Sequence, residues 1–345
     1  MSDRPSPLKR NSVKKVTTCV VDGNALLKNA YFGAKNLYNS KGVHIGGIYQ
    51  FYTTLRKVIK ENSVDKIIIF WDGKYSGRLR FDIYPEYKQN RNKIFYGDVT
   101  INEEDESFYY QKVRTKQYAE ELFIKQFEDE IVEADDCIGY YISKYKNTEN
   151  IIICSGDRDL LQLICESVSM YVLDKKIVVT DKNFYDIFGY PHQNVLLIKT
   201  LIGDDSDNIK GVKGIKEKTL FKLIPDIEEK LLELSDVIET AKFKLDQSKG
   251  KSKTLKNIVE GVTLGSQGEN LYRINNILIN LSTPLITDEC REQLDILLES
   301  DIDPENRETK NLLRYMQEDE FFKEIPGNSE GYVEYLQPFL RLIKK

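Results

Sequence analysis

Three stretches of this chain run apolar and β-branched and then stop on a carboxylate: KKVTTCVVDGN at 14–24, DKIIIFWDGK at 65–74 and NIIICSGDRD at 150–159. Continuous Val/Ile runs, rather than clean alternation, are what a strand needs when helices cover both faces of its sheet. Between the first two, GGIYQFYTTLRKVIKE at 46–61 sets Ile48, Phe51, Tyr52, Leu55, Val58 and Ile59 on one face at three- and four-residue spacing, the pattern of a crossover helix. SVSMYVL (167–173) and KIVVT (176–180) predict a further strand pair turning at Asp174 and Lys175. The expected fold class is therefore α/β, with a mainly parallel central sheet flanked by helices.

Beyond Tyr190 the β-branched runs give way to Leu- and Lys-rich helical sequence such as VLLIKTLIG, KEKTLFKLI and ECREQLDILLES. The expected organisation is a basic, disordered arm at 1–13, an α/β core at 14–190 and a mostly helical region at 191–345. Flexible connections are expected at 97–107, 246–253 and 301–310. The longest apolar runs fall far short of the roughly 20 residues of a membrane helix, and the N-terminus carries no apolar signal core, so a cytoplasmic protein without a membrane partner is expected.

Histidine occurs twice, at His44 and His192, and the five cysteines form no CxxC pair. Zinc sites of the HExxH kind and most histidine-based acid-base schemes are thereby disfavoured. Carboxylates are left to carry any chemistry. In an open α/β sheet ligands bind outside the carboxyl ends of the strands, and there the chain accumulates Asp22, Asp72, Asp157 and Asp159, with Glu133, Asp135 and Asp136 in VEADD where a helix should start. Each alone reads equally well as a helix cap or turn residue. Together they would repel one another unless divalent cations neutralised them, and an oxygen-only ligand set points to Mg²⁺ or Mn²⁺.

VDGN, FWDGK, PEYKQNR, EADD, SGDRDLLQL and GDDSDNIKGVKGI occur here in the order found in the flap endonuclease and 5′-3′ exonuclease family, over about residues 15–225. The chain resembles that family. KYSGRLRFDIYPEYKQNR and the C-terminal YRINNILINLSTPL look most like its bacteriophage ribonuclease H branch. The resemblance implies a PIN-like 5′ nuclease core and two Mg²⁺ ions, Mn²⁺ substituting. It implies one ion on Asp22, Asp72, Glu133 and Asp135 and a second on Asp157, Asp159, Asp204 and Asp207, with Asp136 in the cluster. Lys88 and Arg91 of PEYKQNR would be catalytic cations, placed on one helical face, and Tyr87 would contact DNA. Residues 84–127 would hold the helical arch, whose Tyr84, Phe95, Tyr96, Phe108, Tyr109 and Tyr110 are further candidates to stack on unpaired bases.

Residues 203–224 resemble the family's helix-3-turn-helix element, with loop glycines Gly211 and Gly214 ahead of a helix whose amides can hold a DNA phosphate. Lys213, Lys216 and Lys218 accompany them; Lys216 stands where the family commonly has a third glycine, a departure that bears on the K⁺ ion often bound there. Net charge is −5, yet residues 74–93 and 241–256 are locally basic. Lys249, Lys251 and Lys253 read either as a DNA contact or as a solvated loop. The tail YVEYLQPFLRLIKK reads either as a closing helix or as a docking segment for a sliding clamp or single-strand-binding protein.

The function these features imply is a monomeric, metal-dependent 5′ nuclease acting on 5′ flaps, nicked duplex DNA and RNA primers in RNA-DNA hybrids. A haloacid-type phosphatase is disfavoured because Asp22-Gly23-Asn24 lacks its DxD pair. A non-catalytic DNA-junction binder that retains the fold is the remaining alternative.

Overall fold

A computed structural model describes residues 15–34, 36–91, 103–301, 309–321 and 329–342. Its first part runs β1 (Thr17–Asp22), α1 (Gly23–Gly33), α2 (Gly46–Asn62), β2 (Lys66–Asp72), α3 (Arg78–Ile83), α4 (Glu103–Glu121), β3 (Lys125–Asp129), α5 (Ala134–Tyr145), β4 (Asn150–Ser155), β5 (Val168–Val172), β6 (Ile177–Val179) and α6 (Phe184–Phe188). Then come α7 (Val195–Ile202), the short strands β7 (Gly203–Asp204) and β8 (Ile209–Lys210), α8 (Glu217–Leu223), α9 (Asp226–Glu229), α10 (Leu234–Gln247), α11 (Lys253–Glu260), α12 (Leu271–Ile279), α13 (Asp288–Glu299), α14 (Thr309–Glu318) and α15 (Ser329–Leu342).

The sheet has the order β3-β2-β1-β4-β5-β6, parallel except for β6. Successive residues of its strands enter opposite cores. Val20, Ile68, Phe70, Ile151 and Ile153 face α5 and the α7–α13 helices. Cys19, Val21, Ile67, Ile69, Trp71, Ile152 and Cys154 face α1, α2 and α4. Two apolar faces are why these strands read as unbroken runs. From β1 the chain proceeds outward to β2 and β3, then crosses back to β4 on the other side, so the order reverses between β1 and β4. That switch point opens a crevice at the carboxyl ends, flanked by Asp22 and by Asp157.

Local chemistry shapes this edge. Asp22 ends β1 and caps α1, its Oδ1 accepting from the Ala25 amide at 2.9 Å. Gly23 is required by packing, because a Cβ there would come within 2.5 Å of the Trp71 ring. Asp157 caps the 3-10 turn Arg158–Leu163 by accepting from the Asp159 amide at 2.8 Å. Asp135 and Asp136 lie in the first turn of α5, where the helix dipole favours negative charge.

Several expectations change. The segment assigned to an arch at 84–127 is largely part of the body: α4 packs on α2 through buried Gln111, Thr115, Tyr118 and Ala119, and β3 completes the sheet edge. Glu103–Glu106 begin α4 rather than a flexible connection; residues 92–102, with Phe95 and Tyr96, lie outside the described residues, as do 1–13 of the N-terminal arm and 302–308. The stretch 246–253 is a tight turn between α10 and α11, with Lys249 and Gly250 both at positive φ.

The segment 203–224, read as a helix-3-turn-helix element, holds one helix, α8, after the β7–β8 hairpin and the 211–216 turn; the helix before it, α7, ends at Ile202. The region 191–345 is not one unit either. Helices α7–α13 cover one face of the sheet, whereas α14 and α15 return to the other, where Leu312, Met316, Tyr335, Leu336 and Phe339 are buried with α2 and α4. Tyr335, Leu336 and Phe339 of the tail thus close the core, which removes these three from a docking segment. Among the described residues no helix is long and apolar enough to cross a membrane.

Candidate active site

The carboxyl ends of β1, β2 and β4 meet the start of α5 and the β7–β8 hairpin, and the acids of the motifs collect there. They fall into two kinds of environment. Asp22, Asp72, Asp135 and Asp157 have carboxylate neighbours. Asp22 takes the Ser155 hydroxyl at 2.8 Å, and Asp72 takes the Ala134 amide at 3.0 Å and the Asn24 amide group at 3.3 Å. Asp135 has no hydrogen-bond donor among the described residues and feels Asp157, Asp22, Asp72 and Glu133; burial, then that repulsion, push its pKa well up. Burial and then Asp72 raise Asp22 to about 7.

The other acids are neutralised by side-chain cations. Arg80, buried, donates to Glu133 at 2.7 Å, to Asp136 with both terminal nitrogens, and to the Leu278 carbonyl at 2.8 Å. Lys88 pairs with Glu133 and lies 3.8 Å from Asp207, which Arg91 holds at 2.7 Å. The Tyr87 hydroxyl donates to Glu133 at 2.9 Å and to Asp207 at 3.0 Å. Lys199 bridges Asp159 and Asp204, the latter at 2.6 Å. Burial opposes ionisation of Asp204, but Lys199 and Ser206 outweigh it and hold it at about 2. Asp159 stays at about 7 through burial and Asp157, despite Lys199.

These acids lie along one edge of the sheet, and several details differ from expectation. Asp136 leaves the ligand set, because both its oxygens are held by Arg80 and one also takes the Leu285 amide at 2.8 Å. Tyr87 and Tyr84 are 1% exposed and cannot stack on a base; both brace the PEYK turn. Lys88 and Arg91 do not share a helical face. Lys88 takes a left-handed conformation with φ 54° and Arg91 ends the 3-10 turn Gln89–Arg91, and this turn aims both at the acids. Gly211 serves packing, since a Cβ would lie 2.1 Å from the Ile202 carbonyl carbon, whereas Gly214 is exposed with open space around it. Lys213, Lys216 and Lys218 are exposed around the turn, and Lys216 pairs with Asp205. Lys249, Lys251 and Lys253 are exposed as well.

Arg80 and Lys199 are not among the site residues that the sequence singles out, although Arg80 lies within KYSGRLRFDIYPEYKQNR. Lys199 had a signal, as the lone charge in the otherwise apolar helix VLLIKTLI. Arg80 had none beyond its place in a basic stretch.

Among the described residues, no three His, Cys, Asp or Glu side chains already form a metal shell. The donor chemistry nevertheless fits hard divalent cations. Asp135 faces four carboxylates without a donor, and Asp22 is pushed to about 7, an imbalance that a bound cation would relieve. A pH dependence follows. Asp22 and Asp159 keep protons in the folded state up to about 7, whereas an unfolded Asp loses its proton near 3.9. Metal-free stability from these two groups is thus full below about pH 4 and falls as pH rises through 7. Asp204 runs the other way: its stabilisation is full above about pH 4 and is lost as pH falls through about 2. The expected result is that the Tm gain from Mg²⁺ over EDTA is small at pH 5 and widens towards pH 8; a pH-independent gain would show that these carboxylates do not bind the ion.

A doubly covered parallel sheet with acids and cations at its switch point, followed by a helix-hairpin-turn-helix, is the fold of a PIN-like 5′ nuclease. The profile of the family described as "5′-3′ exonuclease, N-terminal resolvase-like domain" matches residues 17–189. The 5′-3′ exonuclease of Bacillus subtilis (strain 168) is 36% identical over 224 residues, 62% of this chain and 72% of that protein. DNA polymerase I of Caldicellulosiruptor bescii is 32% identical over 282 residues, 76% of this chain but 32% of the polymerase, so the chain spans about a third of that longer relative. A bacteriophage T5 flap endonuclease, solved with DNA and metal ions, shares the fold with a TM-score of 0.59 at 23% identity, covering 87% of this chain and 99% of that one. The chain belongs to the 5′-3′ exonuclease family, and it is an enzyme of the 5′-3′ exonuclease kind.

Proposed function

We propose that the protein is a divalent-cation-dependent, structure-specific 5′ nuclease that hydrolyses phosphodiester bonds in 5′ flaps, nicked duplexes and RNA primers during replication or repair. The observation that carries this reading is Asp135, a carboxylate set among four others, one of which, Glu133, pairs with the cation Lys88. Asp22, Asp72, Asp135 and Asp157 would hold one ion, and Asp159, Asp204 and Asp207 would contribute to a second. Glu133 would orient Lys88. Mg²⁺, with Mn²⁺ in its place, supplies an activated water and charge stabilisation at the scissile phosphate.

The chain's own groups do the rest. Lys88 and Arg91 present positive charge to the phosphate; their present partners, Glu133 and Asp207, keep them aligned. Ser155 and the Ala134 amide fix Asp22 and Asp72. Duplex binding is assigned to Gly214, Lys213, Lys216 and Lys218 with the 249–253 turn. Asn257 of α11 donates to the Lys213 carbonyl at 2.9 Å, which ties the helix following that turn to the 211–216 loop. The T5 relative's complex with DNA and metal ions supports this reading. Lys216, paired with Asp205, brings a side-chain cation to the turn where K⁺ would otherwise sit.

The test uses 5′-labelled nicked, flapped and RNA-primed duplexes with Mg²⁺ and then with EDTA. Short 5′ products that vanish in EDTA are expected. Binding in Mg²⁺ without cleavage would instead establish a junction-binding protein. In a binding assay on the same duplexes in Ca²⁺, changing Lys249, Lys251 and Lys253 to Ala is expected to flatten the log Kd against log salt slope by about 0.9 for each DNA phosphate that no longer meets a lysine.

A further inference from the structure

Helix α14 and the turn that follows it lie outside the family-matched residues 17–189, yet they make a dense polar contact with α4. Asp319, 1% exposed, accepts from the Tyr118 hydroxyl at 2.8 Å and from the Tyr110 hydroxyl at 3.0 Å, and pairs with Arg114 at 3.2 Å. One carboxylate thus grips three residues at four-residue spacing, two turns of α4. Arg114 also reaches Glu318 at 2.9 Å and stacks over Tyr315 at 4.8 Å. The next residue, Glu320, accepts from the Ser40 amide at 2.6 Å in the connection between α1 and α2. A buried carboxylate needs a compensating charge and donors to persist, and Asp319 has both from α4 alone.

The gripped helix reaches the active edge. Lys112, between Tyr110 and Arg114, donates to the Asp72 carbonyl at 2.7 Å and pairs with Glu128 at 2.6 Å. A shift of α4 would therefore pull on the end of β2, where the Asp72 carboxylate meets the α5 amide.

We propose that α14 and the Asp319 turn after it form a clasp on α4, and that Asp319 is a positioning residue for cleavage, acting through Lys112 on the Asp72 end of the active site. This rests on the nuclease reading. The clasp closes a path of contacts from the last helices to the sheet edge, so the tail sets catalytic geometry without touching substrate.

The test combines Asp319→Asn with Arg114→Gln, singly and together, in the full chain. Faster hydrogen exchange is expected in 110–121 with the β1 and β4 amides unchanged. The single-turnover rate constant at saturating enzyme is expected to fall roughly 10-fold or more, as small misplacements far from the chemistry do, with Kd for nicked duplex in Ca²⁺ unchanged. A loss of folded protein alone would lower the amplitude and leave the rate constant in place. The double variant is expected to fall short of the sum of the single effects, because the two substitutions share one ion pair. An unchanged rate constant alongside a loosened α4, or unchanged exchange in α4, would overturn the proposal. Should wild type fail to cleave at all, the nuclease reading falls, while the exchange arm still reports on the clasp. If Asp319→Asn does not fold, Arg114→Gln carries the test alone.

Discussion

Lys88→Ala lowers the single-turnover cleavage rate by about 10²- to 10³-fold, the cost of removing a preorganised electrostatic donor, and leaves Kd for the substrate in Ca²⁺ nearly unchanged. The structure argues for a catalytic rather than a surface role. The Lys88 side chain is 12% exposed, its ammonium lies 4.8 Å over the Tyr87 ring, and it pairs with Glu133 beside Asp207. Burial works against its charge, but Glu133 and Asp207 outweigh that and hold its pKa above the ordinary lysine value. The group is therefore a fixed cation at working pH, and it is useful where negative charge builds up on the scissile phosphate. A simple phosphate contact would behave differently: Kd would rise in a salt-dependent way and saturating enzyme would restore the full rate. Observing that restoration would refute the catalytic role. Lys88→Arg is a further check, since the planar guanidinium cannot occupy the ammonium's place between Glu133 and Asp207 unchanged.

Asp135→Asn separates stability from activity in opposite directions. Cleavage in Mg²⁺ is expected to fall below detection, because the side chain sits where carboxylates at the ends of β1, β2 and β4 converge and an amide is a poor ligand for a hard cation. In EDTA the same variant is expected to melt higher than wild type, since it removes an anion that Asp157, Asp22, Asp72 and Glu133 repel. A gain of about 1 kcal/mol corresponds to roughly 2–4 °C for a domain of 150–250 residues. Differential scanning calorimetry in EDTA at pH 8, paired with the labelled-flap assay, reads both. A variant that melts lower in EDTA, or that keeps Mg²⁺-dependent cleavage, would show that Asp135 is not at the centre of the cluster.

Much of this site is legible in the chain before it folds. Asp22, Asp72 and Asp157 can be located because each ends an apolar run, and a parallel strand buried on both faces has no other way to stop at solvent. The start of α5 is legible in VEADD, where acids before an apolar period mark a helix N-terminus. By contrast β3, with the sequence KQFED, has no apolar run. As an edge strand only partly covered, it needs none, and so it passes for part of an arch. Helix α4 escapes notice for a related reason: its buried face includes Thr115 and Gln111, whose amide oxygen finds the Gly47 amide only after folding.

The amino-acid sequence by itself determined the strand ends, the crossover helix α2, the concentration of oxygen ligands without histidine or cysteine, and the family to which they belong. All of these are local patterns, written within a few residues. Only the tertiary structure decided which acids remain available to a cation. Asp135 and Asp136 are adjacent in sequence and chemically identical, yet one faces four carboxylates while the other is held by Arg80, 56 residues away. Asp159 and Asp204 are joined by Lys199, and the last helices return to grip α4 across 201 residues between Asp319 and Tyr118. Charge pairing over such separations depends on how the chain closes in space, because a side chain's electrostatic neighbours are set by distance through the fold and not by distance along the chain.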